Sequence, residues 1–421
     1  MGIAYIVAFY VFSFLAVYVQ VFFFVTFLEK RKSIIKHPAF IELKRYPSVT
    51  VTVPCYNEEK TVDKTIESLL ALDYPKDKLS IFIVDDGSTD NTWNIIKRFE
   101  NVPNIRIFHQ ENGGKYTAMN LGLENAASEF FGCLDSDSFV HPQSLKRIMS
   151  YFENDDMTMA VAPSIIVHNP KNVIQSAQKV DYDMAVYTKK MLGFIGGIHV
   201  TPGPFSIFRI KVFKDLGPYR KAHNTEDQEI ALRMQENGYK IDHCPDAYVY
   251  TISPNSIMKL YRQRLRWIYG FIRNLVDYRR LLFRKKYGAI AILTLPSGII
   301  SILGVLLLFF TFIYNAGSFL YHKFIQMQVV GISSSSSFKF DWFFVSTRSS
   351  LFLIVILYIL VVVSSIIGRN LASEKKGFSF TVFLYIIVYS VVAPFWMLKA
   401  IYNAIIKKES NWVFERKAIK N

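Results

Sequence analysis

The chain holds 421 residues with a formal net charge of +15, and 51% of them are hydrophobic. That length leaves room for one sizeable soluble domain plus a further apolar region. Three cysteines, Cys55, Cys133 and Cys244, have no pairing or Cys-x-x-Cys spacing, which excludes a disulfide framework and fits a reducing compartment.

Residues Ile3 to Leu28 carry no charge and exceed the roughly 20 residues that span a bilayer. They lack a basic leader and a small-residue cleavage site, so they read as a retained helix and not as a signal peptide. Lys30, Arg31, Lys32 and Lys36 form a basic collar behind it. Next comes a β-branched run, Val49 to Val53, that reads as a strand. It ends at Pro54-Cys55-Tyr56-Asn57-Glu58 and is followed by a helix with Ile66, Leu69 and Leu70. A second apolar run, Leu79 to Val84, ends at Asp85-Asp86-Gly87-Ser88, ahead of a helical pattern with Ile95, Ile96 and Phe99. A third, Ile105 to Phe108, leads to Asn112-Gly113-Gly114-Lys115 and a helix over Tyr116 to Asn125. The fourth, Phe130-Phe131-Gly132-Cys133-Leu134, ends in Asp135-Ser136-Asp137. Alternation of this kind predicts an α/β domain with a mostly parallel sheet and helices on its faces.

Ligands of open parallel sheets bind outside the carboxyl ends of the strands. The polar clusters behind the four runs would therefore converge, bringing Glu58, Asp86, Lys115 and Asp137 to one crevice. Any one cluster alone reads as a turn, since Asp-Gly-Ser and Asn-Gly-Gly form turns anywhere; four in succession argue for a site. One or two carboxylates suffice for a Mg²⁺ or Mn²⁺ ion that keeps substrate phosphates in its shell, which suits Asp135-x-Asp137. No G-x-G-x-x-G or P-loop pattern is present, so dinucleotide and P-loop readings are weak.

Further along, Thr201-Pro202-Gly203-Pro204 reads as a rigid turn feeding a strand. Thr225 and Gln228 have capping-box spacing at the start of a helix of about three turns that ends at Gly238. Glu226 and Asp227 fall in its first turn, where the helix dipole favours the ionised form; whether they do more than complement that dipole is an even choice on the residues alone. In the stretch Ile257 to Leu275, Ile257, Tyr261, Leu265, Ile268, Ile272 and Leu275 fall within an arc of roughly 80°. Gln263, Arg266 and Trp267 lie on the other side. This helix should rest on the bilayer surface and turn its polar face to the domain. Between Arg262 and Lys286 nine cations stand against one acid, Asp277. Positive charge next to a membrane helix marks the cytoplasmic side, and no nucleic-acid-binding motif accompanies it.

Three more apolar runs follow, at about Ala289–Tyr314, Leu351–Ile367 and Phe378–Leu398, with a serine-rich linker at Gly331–Ser337. The expected organisation is a membrane helix and collar (1–36), a cytosolic domain (37–252), interfacial helices (253–288), a membrane region (289–406) and a basic tail (407–421). One span before the domain and three after it would put the tail outside. The charges of Lys407, Lys408, Arg416, Lys417 and Lys420 put it inside. Either the last run bends at Pro394 without crossing, or Gly317–Ile332 makes another pass.

Taken together, Pro54-x-x-Asn57-Glu58, Asp85-Asp86-Gly87-Ser88, Gly114-Lys115, Asp135-x-Asp137, Thr225-Glu226-Asp227 and Gln263-x-x-Arg266-Trp267 resemble the processive membrane glycosyltransferases of family two. These are the cellulose, chitin, hyaluronan and poly-N-acetylglucosamine synthases. The resemblance covers about Val49 to Trp267 and implies a GT-A fold with a UDP-sugar donor, a UDP-N-acetylhexosamine or UDP-hexose. It implies that Tyr56, Glu58, Asp86 and Lys115 hold the donor nucleotide, and that Asp137 with Asp135 holds the metal. It makes Asp227 the base, with Glu226 beside it, and gives Gln263, Arg266 and Trp267 to the acceptor and the diphosphate. Trp412 and Arg416 resemble a tail that gates the donor, from which Phe414 and Glu415 depart. The chemistry asks for the same groups: an inverting transfer needs a carboxylate for the attacking hydroxyl's proton and positive charge on the leaving diphosphate.

The expected function is extension, and export, of a β-linked polysaccharide at the cell membrane, with an accessory subunit as a further partner. A single transfer to a membrane lipid is the second reading, favoured by the small number of spans. A receptor that only binds a nucleotide-sugar is the third, and intact candidates for base, metal ligand and cation argue against it.

Overall fold

The computed structural model describes residues 3–35, 37, 41–330, 349–372 and 377–408. Lys36, the serine run and the tail residues Trp412, Phe414, Glu415 and Arg416 lie outside them. Helix α1 (Ile3–Lys30) leads into the collar. Then follow β1 (Val49–Cys55), α2 (Val62–Leu70), β2 (Leu79–Asp85), α3 (Thr92–Lys97), β3 (Ile105–His109), α4 (Lys115–Glu124) and β4 (Phe130–Cys133). All four strands pair in parallel, in the order β3-β2-β1-β4. Each apolar run of the sequence thus became a strand that stops where its polar cluster begins.

The second half turns the sheet into a mixed one. It comprises β5 (Ser138–Val140), α5 (Ser144–Asn154), β6 (Thr158–Val167), α6 (Val173–Phe194), β7 (Ile207–Arg209), α7 (Lys211–Leu216), α8 (Glu226–Glu236) and β8 (Lys240–Thr251). The eight strands lie in the order β3-β2-β1-β4-β7-β6-β8-β5. Strand β7 runs antiparallel to β4, with Phe131 opposite Phe208. This pairing carries the Thr201–Ser206 turn over the end of β4, where the Phe205 amide donates to the Cys133 carbonyl at 2.5 Å.

Side-chain alternation sends successive residues to opposite faces of the sheet. Phe130 and Ile207 join one core with Val51, Ile66, Ile83 and Leu145, under α2 and α5. Phe131 and Phe208 join the other with Met119, Tyr187, Met191 and Ile230. The second core also contains Phe23 of α1, so one face of the sheet is sealed by α6 and, beyond it, by an apolar terminal helix. The collar is fastened by His37, whose ring nitrogens lie 2.9 Å from Asp246 Oδ2 and 2.7 Å from Ser150 Oγ. The three cysteines are free and buried, as their spacing suggested.

The remaining helices are α9 (Ile257–Asp277), α10 (Leu295–Val330), α11 (Ser349–Ala372) and α12 (Thr381–Ile405). Among the described residues four helices are long and apolar enough to cross a membrane: Val7–Ser33, Ile290–Gln328, Phe352–Ala372 and Thr381–Ile405. Helix α10 runs unbroken through Gly317 to Val330, so that stretch is not a separate pass. Helix α12 likewise continues through Pro394, which is buried.

Helix α9 departs from expectation in what it touches. Tyr261, Leu265 and Ile268 of its apolar stripe pack with Ala393, Trp396 and Val392 of α12, while Leu275 packs with Leu232, Leu281 and Leu295. Periodicity defines an apolar face but does not say what covers it; here much of the cover is protein. Helix α11 meets α6 through Gly368, where an added Cβ would stand 2.1 Å from the Asp183 carbonyl oxygen.

Candidate active site

The loops after β1 and β2 are stitched together by the polar residues that make them turns. Asn57 takes a left-handed conformation (φ 55°), its amide donating to Ser88 Oγ at 3.0 Å while its Oδ1 accepts from the Thr89 amide at 2.8 Å. The Glu58 amide donates to Thr92 Oγ1 at 2.8 Å, and the Glu58 carboxylate accepts from Thr61 Oγ1 at 3.0 Å. Tyr56 and Glu58 are both half-buried at the strand end.

Asp86 is placed differently from its two neighbours. Its carboxylate accepts from the amides of Gly113 and Gly114 at 3.0 and 2.9 Å and from Gln110 Nε2 at 2.6 Å. It is only 3% exposed, so it lies beneath the Asn112–Lys115 loop and shapes it. Two consecutive glycines behind a strand offer unhindered amides, and that was the signal available in the sequence.

Lys115 opens α4 directly from this loop. Its Nζ stands 2.6 Å from Asp135 Oδ1 and 3.5 Å from Glu226 Oε1. Three predicted site residues, 20 to 111 positions apart in the chain, thereby meet at one ammonium. Burial alone would lower the Lys115 pKa, but Asp135 and Glu226 outweigh it and hold the group well above its usual value. Gly203 makes the meeting fit, because an added Cβ would stand 2.7 Å from Lys115 Nζ and 3.2 Å from Asp135 Oδ1.

Asp137 lies half-buried beyond Asp135, accepting from Ser138 Oγ at 3.2 Å. Burial, then the charges of Asp135 and Glu58, push its carboxyl up to about 6. A buried carboxylate raised by its acidic neighbours is an oxygen-rich place short of positive charge, which fits a hard divalent cation. They do not form a compact trio of protein ligands. Among the described residues that geometry occurs at His37, Cys244 and Asp246, where both ring nitrogens of His37 are already bonded.

The helix that carries Glu226 and Asp227 is not capped as the spacing predicted. Thr225 makes no side-chain cap bond; its hydroxyl donates to the Ala222 carbonyl at 2.9 Å and accepts from Asn274 Nδ2 at 2.9 Å. Gln228 Oε1 also faces Asn274, at 3.3 Å. A tertiary partner on α9 has displaced the local capping box. Gly270, one turn earlier on α9, lets the two helices touch, since a Cβ there would lie 2.3 Å from Thr225 Cγ2. Thr201 fixes the same helix start from above, its amide and hydroxyl donating to the Asp227 carbonyl at 3.2 and 3.0 Å.

The first-turn position is not the largest influence on Asp227. Burial, then the charge of Glu226, push its carboxyl up to about 6, against the opposing pull of Lys115 and Arg266. Arg266 is close enough for its charge to act on the Asp227 carboxylate. Gln263 Oε1 is buried without a hydrogen-bond partner among the described residues. Arg262, one turn before Arg266 on α9, is exposed. Arg266→Ala should therefore reduce activity far more than Arg262→Ala in a comparison of initial rates; equal losses would mean that both only anchor the helix.

Two neighbours escaped the sequence reading. Lys189 of α6 is pushed down to about 8 by burial, with Asp227 opposing, and His199 is pushed down to about 4 by burial and by Lys189. Neither belongs to a recognisable pattern; Lys189 links the two, acted on by Asp227 and itself acting on His199.

Residues 50–217 match the family model described as glycosyl transferase family 2. The poly-beta-1,6-N-acetyl-D-glucosamine synthase of Staphylococcus aureus (strain COL) is 30% identical over 244 residues, covering 58% of this chain and 58% of the synthase. That of Staphylococcus epidermidis is 29% identical over 231 residues, covering 54% of this chain and 56% of the synthase. The chain thus spans a little over half the length of the curated relatives it matches. Among solved structures, a mannosyltransferase from Pyrobaculum calidifontis in complex with GDP-Man and Mn²⁺ superposes with a TM-score of 0.60. At 18% identity this is a likeness of fold, and it covers 94% of this chain and 100% of that one.

Proposed function

We propose that this chain, which carries a family 2 glycosyltransferase domain of the GT-A type over residues 50–217, transfers sugar from a UDP-sugar with inversion and extends a β-linked polysaccharide. The observation that carries the reading is the junction of Lys115, Asp135 and Glu226, with Asp227 alongside. It supplies a base, a cation and metal-type carboxylates at the ends of parallel strands, where such sheets bind ligands.

In this reading Asp227 takes the proton from the attacking hydroxyl of the acceptor as the new glycosidic bond forms. Its carboxyl, raised to about 6, is still mostly ionised at neutral pH and is a better proton acceptor than an ordinary aspartate. Glu226 is engaged with Lys115 and serves to hold that lysine. Arg266 approaches from α9, on the side where the departing diphosphate gathers charge. Tyr56, Glu58 and the loop shaped by Asp86 border the nucleotide. Asp137 and Asp135 would hold a Mg²⁺ or Mn²⁺ ion, which when bound neutralises the diphosphate. Turnover should accordingly vanish in excess chelator and return with either cation. Full activity in chelator would remove both aspartates from the mechanism.

The reading places the domain in the cytosol, because the collar and the Arg262–Lys286 cations flank candidate spans from the domain side. Export of the product and an accessory subunit remain part of it. A second reading, one transfer to a lipid acceptor, is favoured by the small number of candidate spans, four among the described residues. Incubation with a panel of radiolabelled UDP-sugars, followed by sizing, separates the two. Long products support the polymerase, and a single lipid-soluble product supports the alternative. No transfer from any UDP-sugar overturns both.

A further inference from the structure

Arg264 stands between Gln263 and Arg266 in the sequence but points elsewhere. Its side chain is 13% exposed, and its Nη2 lies 2.7 Å from Asp181 Oδ2 of α6. The same carboxylate accepts from the Tyr389 hydroxyl of α12 at 3.2 Å. The guanidinium carbon is 4.2 Å from the centre of the Trp267 ring, and 5.7 and 5.9 Å from those of Tyr389 and Tyr182. Its Nε is buried without a hydrogen-bond partner among the described residues. The group is therefore held by one carboxylate and by ring faces, not by a fork of hydrogen bonds. A cation stacked on an indole, largely out of water, gains from the ring quadrupole. Withdrawing its carboxylate would leave a buried charge uncompensated.

The cluster borders the reacting region. Tyr182 is pushed up to about 12 by burial, and the charges of Arg264, Asp181, Asp137 and Arg266 all act on it. Its ring, 5.9 Å from the Arg264 guanidinium, thus feels both the clamp and the metal-type carboxylate Asp137.

We propose that Arg264 is a positioning residue: with Asp181 and Tyr389 it clamps the Trp267 indole in one orientation, so that the contact of α6, α9 and α12 sets the seat for the acceptor sugar. The inference rests on the assignment of Trp267 to the acceptor site, and it adds how the ring is held and by which helices.

The test uses the full chain in detergent, labelled with 5-fluorotryptophan, with the Trp267 resonance assigned by its loss in Trp267→Phe. In Arg264→Met and in Tyr389→Phe that resonance should shift while the Trp93 resonance stays. The acceptor KM should rise about tenfold or more in Arg264→Met, as expected for a misplaced binding surface, with UDP-sugar affinity within about twofold. Arg264→Lys keeps the pair with Asp181 but has no flat face, so it should recover part of the KM and none of the fluorine position. An unmoved Trp267 resonance in both variants overturns the proposal, and so does a shifted resonance with an unchanged acceptor KM. If Arg264→Met fails to fold, Tyr389→Phe removes one hydroxyl and decides by the same resonance. The fluorine signal needs no turnover, so a shift in a chain that transfers no sugar would support the clamp and overturn the functional reading instead.

Discussion

Asp227→Asn should lower sugar transfer by ~10²–10⁴-fold, the usual cost of losing a general base, while UDP-sugar affinity stays within about twofold. The amide keeps the shape of the carboxylate and its acceptor oxygen for the Gln228 amide, 2.9 Å away, so the start of α8 should survive. Calorimetry for binding and UDP release for transfer form the decisive pair. If both fall together, Asp227 belongs to the donor site or to the fold; if neither falls, Glu226 is the better candidate. The pH profile carries the same assignment. Only the deprotonated form can accept the proton, and the carboxyl sits at about 6 because burial and Glu226 raise it. Transfer should therefore climb as pH rises through about 6 and level off above it. In Asp227→Asn that limb should disappear from whatever activity is left.

Gly368→Val should be the most damaging single change outside the site. The obstacle to a side chain is backbone: an added Cβ would stand 2.1 Å from the Asp183 oxygen and 2.6 Å from its carbonyl carbon. A helix backbone cannot step aside as a side chain can, so α11 must lift from α6. Overpacking of this kind costs ~1–3 kcal/mol and occasionally more. It would also disturb the satellite cluster of Ile166, Val186 and Ala372. The expected result is a lower melting temperature in detergent, with Gly368→Ala less affected than Gly368→Val. An unchanged melting temperature would mean that α11 is not seated on α6.

The first half of the sheet was legible because each of its strands is a short apolar run ending in turn residues, and backbone physics fixes both. The site acids and Lys115 were legible because they stand at those strand ends. What could not be read was the meeting itself. Lys115, Asp135 and Glu226 share no local pattern, and only the β4–β7 pairing brings the Glu226 helix and the Gly203 turn to Lys115. The capping box was misread for a related reason: Thr225 has a hydroxyl that a distant asparagine competes for, and Asn274 wins. The first-turn position of Asp227 was legible, but the burial that raises its carboxyl was not. Asp181 and Arg264 lay in plain view as charges, yet their pairing joins residues 83 positions apart.

Helix α9 has a consequence for how this chain can drift over evolutionary time. Between Gln263 and Leu275 none of its residues is exposed; the exposed positions are Ile257, Met258, Lys259 and Arg262 near one end and Val276 and Asp277 at the other. Gly270 and Asn274 are spoken for by α8, and Leu265 and Ile268 by α12. A helix enclosed on both sides has no free face on which neutral substitutions can accumulate. Variation among descendants of this gene should gather at the two ends of α9. Its middle three turns should change only together with the helices that hold it.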